Sequence, residues 1–409
     1  MRSKTVAASL AVTLWLIPIS AITSRAADNF KLLYSFPYQG KSGSFPGGPI
    51  VLDERGNLYG TTSAGGDLKS CAPQGCGTVF QLAPTSDGWT ETVLHSFDWK
   101  ADGEGPCYNL VLDPRGNLYG VITDGPPGHQ GGVFELSPSR NGPWTVKMLH
   151  VFHGGTPHSG YVRDTAGNLY GNNYFSDELS ELPDGQWSDR AIAQPFSFST
   201  ATLKDGNLYD AGGSGTYKYG MVYELTPAKD GKWQELDLYS FRGLDHGFED
   251  GSFPAAGVVF DKKGNIYGAT ETGGIKSQGC GQYGGQIGCG TIFELSPDGH
   301  GGWTESILYR FTDAAHGYSP FSTLNIDSAG NIYGTAVGGT GGGWGVIFKL
   351  APGQNGDWTY SVLHNFTDGK NDGAEPYAPM IFDKQGKHLY GTTAYGGTYN
   401  GGIVFELTP

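Results

Sequence analysis

The 409 residues include 68 Gly, about one in six where about 7% is usual, and charged residues make up 16% where about 25% is usual. With 23 Tyr, 21 Phe and 9 Trp the chain is too aromatic to be disordered. A formal charge of −14 repels phosphate backbones and excludes nucleic acid as a partner.

Residues 1–26 read as an export signal. Arg2 and Lys4 precede an uncharged run, Thr5 to Thr23, and Ser24-Arg25-Ala26 offers small residues where signal peptidase cuts. Cleavage after Ala26 removes three basic residues and no acid, taking the net charge from −14 to −17. Left uncut, the same run would approach the length of a membrane anchor. No later segment is apolar enough to span a membrane, so residues 27–409 are expected to form one extracellular or periplasmic domain and a monomer.

That domain opens with Lys31 to Phe36, which reads like the end of a later strand, Val93 to Phe97. Seven copies of a Gly-Asn-branched-Tyr motif follow, with tyrosines at 59, 119, 170, 209, 267, 333 and 390, the last copy being Gly386-Lys387-His388-Leu389-Tyr390. Each copy sits in four strand-like runs, and the fifth repeat shows them plainly. Val258 to Phe260 turns through Asp261 to Gly264 into Asn265 to Thr270, and Thr291 to Leu295 and Trp303 to Phe311 come next. The third run recurs as Val79 to Leu82, Val133 to Leu136, Leu179 to Leu182, Val222 to Leu225, Ile347 to Leu350 and Val404 to Leu407. The fourth carries Trp and, eight positions later, Phe, as in Trp89 and Phe97, a spacing that puts both rings on one face for packing between repeats. In the third repeat Pro195-Phe196 replaces that Phe, and the repeat reads as degenerate.

The chain stops after a third strand and begins with a fourth. Pairing the two closes a ring and removes a bare sheet edge, so the expected fold is all-β, a seven-bladed propeller of four-stranded blades whose last blade is completed by the N-terminal strand.

Among five cysteines, Cys71 with Cys76 and Cys280 with Cys289 would close short loops as disulfides in an oxidising compartment, each contributing about 2–3 kcal/mol. Zinc is the rival reading, disfavoured because neither pair is Cys-x-x-Cys and no His adjoins them; Cys107 is left as an odd, buried thiol.

The words Gly75-Cys76-Gly77-Thr78-Val79-Phe80 and Trp89-Thr90-Glu91-Thr92-Val93-Leu94-His95-Ser96-Phe97 closely resemble the GloVer (Gloeo/Verruco) tandem repeat of bacterial exported proteins. The resemblance covers residues 29–409 and implies export from a bacterium, with no settled activity to carry over. Relatives described as choice-of-anchor end in a sorting segment, and this chain stops at Thr408-Pro409 without one.

The turn acids Asp53, Asp113, Asp164, Asp205, Asp261, Asp327 and Asp383 recur in every repeat and read as turn caps. His95, His150 and His364 exchange with Tyr34, Tyr239 and Tyr309, so a polar-tipped aromatic is wanted there rather than a base. The loops joining strands two and three, and those joining one blade to the next, share one face. They gather Asp98, Asp102, Glu104, Asp245, Asp250, Asp368 and Asp372 with Trp344 and Tyr395, and these nine are the candidate ligand residues. Asp368 to Glu375 is a weak likeness of a calcium loop; no other cofactor and no resident metal are expected. The inner strands hold Arg163 and Lys204 but no carboxylate pair and no Ser-His-Asp set, so no catalytic residue is assigned. The expected function is non-catalytic binding of a carbohydrate, protein or cell-envelope ligand on the long-loop face. The alternatives are a polysaccharide hydrolase or lyase using Asp250 and Asp102 as acid and base, or a purely structural repeat module.

Overall fold

In the computed structural model, residues 29–409 are described apart from 127, 141, 174, 194–196, 198, 245–249, 281–286 and 341. The proposed signal, Pro195-Phe196 and Asp245 fall outside the described residues. Seven four-stranded antiparallel sheets form the ring. The first blade runs outward from the channel as Val51–Leu52, Leu58–Thr62, Thr78–Thr85 and Gly88–Ser96. The seventh joins Ile381–Phe382, Leu389–Thr393 and Asn400–Leu407 to the N-terminal strand Phe30–Pro37. Phe30 opposes Leu407, Leu32 opposes Phe405 and Ser35 opposes Ile403, so the ring is closed as the repeat phase requires. No helix among the described residues is long and apolar enough to cross a membrane.

Each letter of the repeated hairpin has a physical reason. Asp53 Oδ1 accepts the amides of Arg55 and Asn57, and its Oδ2 accepts the Asn57 side chain at 2.7 Å and the Tyr59 hydroxyl at 3.1 Å. Gly56 takes φ +84°, the left-handed turn conformation that glycine adopts without strain. Gly60 follows Tyr59 because a Cβ there would lie 2.6 Å from the Phe80 ring.

The outer strands correct one sequence expectation. In the first blade Phe80 opposes Val93 and Val79 opposes His95, which leaves Leu94 as an extra, bulged residue. The same shift recurs in all seven blades. One added residue reverses the alternation, so Trp89 and Phe97 face opposite neighbours rather than one. Trp89 reaches back to Tyr390 of the seventh blade, with centroids 6.4 Å apart, and Phe97 reaches forward to Phe134 of the second, 5.2 Å away. Trp144 likewise meets Tyr59, and Phe36, Phe241, Phe311 and Phe366 meet Phe80, Phe293, Phe348 and Phe405. The packing role holds, with both faces of each blade used. Burying each phenylalanine contributes about 2–3 kcal/mol.

The third blade brings a second correction. Leu169 opposes Leu179 as Leu58 opposes Leu82, so its third strand, Phe175–Glu181, aligns three residues earlier than Leu179 to Leu182. Asp177 therefore stands where other blades place Phe80, Phe134 or Phe293. The missing ring comes from the first strand, where Tyr161 replaces Ile50 or Leu110. A Cβ on Gly171 would lie 2.5 Å from the Tyr161 ring, as one on Gly120 would from Phe134.

Candidate functional site

The long-loop face is built by one clamp repeated between blades. A left-handed residue precedes proline in each of five linkers: Phe45, Gly105, Phe253, Ser319 and Glu375, with φ from 47° to 72°. Its amide donates to the carbonyl of Gly401, Cys76, Tyr219, Cys289 or Trp344 on the preceding blade. Holding a side chain there costs about 1–2 kcal/mol for residues other than glycine. The clamp thus places Phe45, Phe253, Ser319 and Glu375 at equivalent positions on one face, with glycine at the fifth. Both expected disulfides are formed, Cys71–Cys76 and Cys280–Cys289, and they brace two of these clamps. Cys71, Cys76 and Glu104 lie together, but both thiols are consumed in the disulfide. Cys107 is a free thiol, and burial pushes it up to about 12.

The candidate acids divide by environment. Asp102 is 6% exposed; its Oδ2 meets His95 Nε2 at 2.7 Å and its Oδ1 accepts the Asp98 amide at 2.7 Å. Asp250, 7% exposed, accepts the Tyr239 hydroxyl and the amides of Arg242 and Gly251. Asp372 repeats the pattern with His364, Thr367 and Gly373. Burial opposes its charge, yet the hydrogen bond from His364 and the others hold its carboxyl below the usual range. These three acids brace their own linkers through the His/Tyr position. Asp102 and Asp250 sit three blades apart and do not converge as an acid and base. Asp98 caps the Lys100 amide, which lowers its pKa, while burial raises Glu104. Asp368 is exposed with φ 55°, its amide donating to Gly373 O at 3.1 Å.

The apolar candidates lie closer together. Trp344 is half-buried against the seventh-blade core, but Tyr395 is 40% exposed and its ring stands 5.2 Å from Phe45. Phe45 meets Tyr38 at 5.6 Å, and Tyr377 meets Phe321 at 6.0 Å while its hydroxyl donates to Glu375 at 2.6 Å. Tyr377 also feels the Tyr395 hydroxyl electrostatically. These rings run across the linkers and loops of blades six, seven and one, and Tyr399, 62% exposed, follows Tyr395 in the same loop. Sequence reading named Tyr395 alone. The pre-proline position, varied from repeat to repeat, was the signal for Phe45 and Glu375.

Part of the channel, along the first strands of blades seven and one to four, is lined by residues such as Ile50, Leu112, Val162, Leu203 and Phe382, with Arg163 and Lys384 among the charges there.

The sequence model of the Gloeobacter/Verrucomicrobia repeat matches residues 21–180 and 278–409. The chain belongs to this family. No curated protein matches the sequence. Among solved structures, similar ones include a putative 6-phosphogluconolactonase from Bacteroides uniformis, 16% identical with TM-score 0.47, covering 77% of this chain and 83% of that one. A protein of unknown function from Dyadobacter fermentans is 12% identical with TM-score 0.45, covering 92% and 98%. PorZ, a surface component of the type-IX secretion system of Porphyromonas gingivalis, is 12% identical with TM-score 0.49, covering 88% and 46%. Likenesses this remote carry no functional argument.

Proposed function

We propose that this Gloeobacter/Verrucomicrobia-repeat propeller is an exported binding protein whose long-loop face takes a saccharide chain along the arc of Tyr38, Phe45, Tyr395, Tyr399 and Tyr377. The observation that carries this reading is the arc itself. The exposed Tyr38 and Tyr395 rings both meet a half-buried Phe45 edge to face, and Phe45 is held in place by a left-handed backbone. A pyranose offers apolar C–H faces ringed by hydroxyls. Rings with hydroxyl tips beside the Glu375 carboxylate answer both. Two disulfides favour an oxidising compartment, and the negative charge disfavours polyanions.

Calorimetry of the full chain against a panel of neutral oligosaccharides tests it. Tyr395→Ala with Tyr399→Ala should weaken binding about tenfold, since each ring contact contributes about 0.5–1.5 kcal/mol. Unchanged affinity in that double variant, or no binding across the panel, would refute the assignment.

A further inference from the structure

The third blade departs from the repeat in three ways that meet at one place. Its third strand carries Asp177 where an aromatic ring belongs, and opposite it stands Ala191 where other blades have Val93, Met148 or Ile307. Its second and third strands nearly touch, Asn173 opposing Phe175, so the long loop that other blades place here is missing. A cleft of about 410 Å³ results, lined by Gly155, Asn173, Phe175, Asp177, Asp189 and Ala191. That volume suits a single small-molecule group.

The cleft holds buried acceptor oxygens. Asp177 is 3% exposed; its Oδ2 accepts the Tyr161 hydroxyl at 2.6 Å, and its Oδ1 has no hydrogen-bond partner among the described residues. Asn173 Oδ1 is likewise buried and unpartnered. Asp189 adds a third acceptor at the rim, with His150 Nε2 3.6 Å from its Oδ2. Buried acceptors without donors are costly, and a ligand that brings N–H groups and a positive charge relieves the cost.

We propose that this cleft is a second binding site, separate from the aromatic arc, and that it takes a primary ammonium group of the kind carried by amino sugars and by lysine side chains. The ammonium places its three N–H donors among Asp177 Oδ1, Asn173 Oδ1 and Asp189, and the carrier lies against the exposed Phe175 ring. The titratable groups that bear on the site are Tyr161 and Asp189 on Asp177, His150 on Asp189, and His153 on His150. Burial, offset in part by the Tyr161 hydrogen bond and reinforced by Asp189, pushes Asp177 up to about 8, so it is protonated at neutral pH. Burial keeps His150 below its ordinary value and therefore largely uncharged. Ammonium binding draws Asp177 to its ionised form and releases its proton to the buffer.

The test is calorimetry of the full chain with three probes, glucosamine, N-acetylglucosamine and Nα-acetyl-lysine amide. At least one ammonium probe should bind, with a heat at pH 7 that depends on the buffer's ionisation enthalpy, and the acetylated sugar should bind at least about tenfold more weakly. Which ammonium probe binds more tightly identifies the source. Asp177→Asn should weaken binding about tenfold and abolish proton release. Asp189→Asn, at the rim where folding is not at stake, should also weaken it. Tyr161→Leu combined with Asp177→Phe rebuilds the Leu110–Phe134 arrangement of the second blade, fills the cleft and should abolish binding in a protein that still melts cooperatively. Nα-acetyl-lysine amide, which has no pyranose face, reads this cleft apart from the saccharide arc. Equal affinity for glucosamine and its acetylated form, binding retained by a folded Tyr161→Leu/Asp177→Phe protein, or no binding of either ammonium probe would overturn the proposal.

Discussion

Replacing Phe36 by alanine asks whether the N-terminal strand is as much part of the ring as any internal strand. Phe36 is 0% exposed, with its ring 5.0 Å from Phe80 and 4.9 Å from Tyr34. A buried phenylalanine withdraws about 150–250 Å² from water, and its truncation to alanine costs about 3–5 kcal/mol including the cavity left behind. Phe97 is its counterpart inside the chain, equally buried and 5.2 Å from Phe134. The two truncations should therefore cost the same within about 1 kcal/mol. Urea unfolding followed by tryptophan fluorescence and far-ultraviolet circular dichroism gives both values on one scale. If the strand instead peeled away on its own, the Phe36 cost would be capped by the free energy of that local opening. A loss below about 1 kcal/mol for Phe36→Ala beside about 3 kcal/mol or more for Phe97→Ala would refute closure as a source of stability.

Gly120→Ala should destabilise by about 1–3 kcal/mol, because the new Cβ would lie 2.5 Å from Phe134 and 2.8 Å from Leu110, and Phe134→Leu should recover part of the loss. A neutral Gly120→Ala in the same urea assay would mean that the strands shift freely. Asp210 is buried with Ser199 and the Ala211 amide on its Oδ1, and burial pushes it up to about 7 despite those hydrogen bonds. A carboxyl whose folded pKa lies above its unfolded value of about 3.9 favours the folded state fully below that value and loses the contribution as pH rises to about 7. Urea midpoints should thus fall between pH 4 and pH 7 more steeply in the parent than in Asp210→Asn, and equal slopes would remove Asp210 as the cause.

The blades, their number and their closure were legible because each rests on a local word. The Asp-to-Tyr hairpin carries its own caps, and Lys31 to Phe36 copies the ending of Val93 to Phe97. The bulge was not legible. Leu94 is an ordinary strand residue, and the extra position shows itself only in the pairing of His95 with Val79. The third blade misled because Glu178-Leu179 and Glu181-Leu182 both match the Glu-Leu pair of other repeats and permit two alignments. Packing chooses between them through Tyr161, a large residue on the first strand that answers a small one on the third. That exchange across a sheet was the signal for Asp177. The linker acids read as candidate ligand residues because sequence cannot show a loop turning back. Asp102 and Asp372 fold onto His95 and His364 of their own blades, which also explains why histidine and tyrosine interchange there.

The seventh blade has one further consequence, for folding. The Thr408 amide donates to the Asn29 carbonyl at 2.7 Å, at the spot where Thr85 and Gly88 mark a tight connection in the first blade. Six blades can zip up from neighbours in the chain, but the seventh must wait for a partner from the far end of the polypeptide, a late and slow event. Until it arrives, Asn400–Leu407 offers its unpaired side to any passing strand. Splicing Pro409 to Asn29 and opening new ends in a surface loop would turn that long-range search into a short hairpin. Such a permutant should refold faster and aggregate less while keeping the same ring.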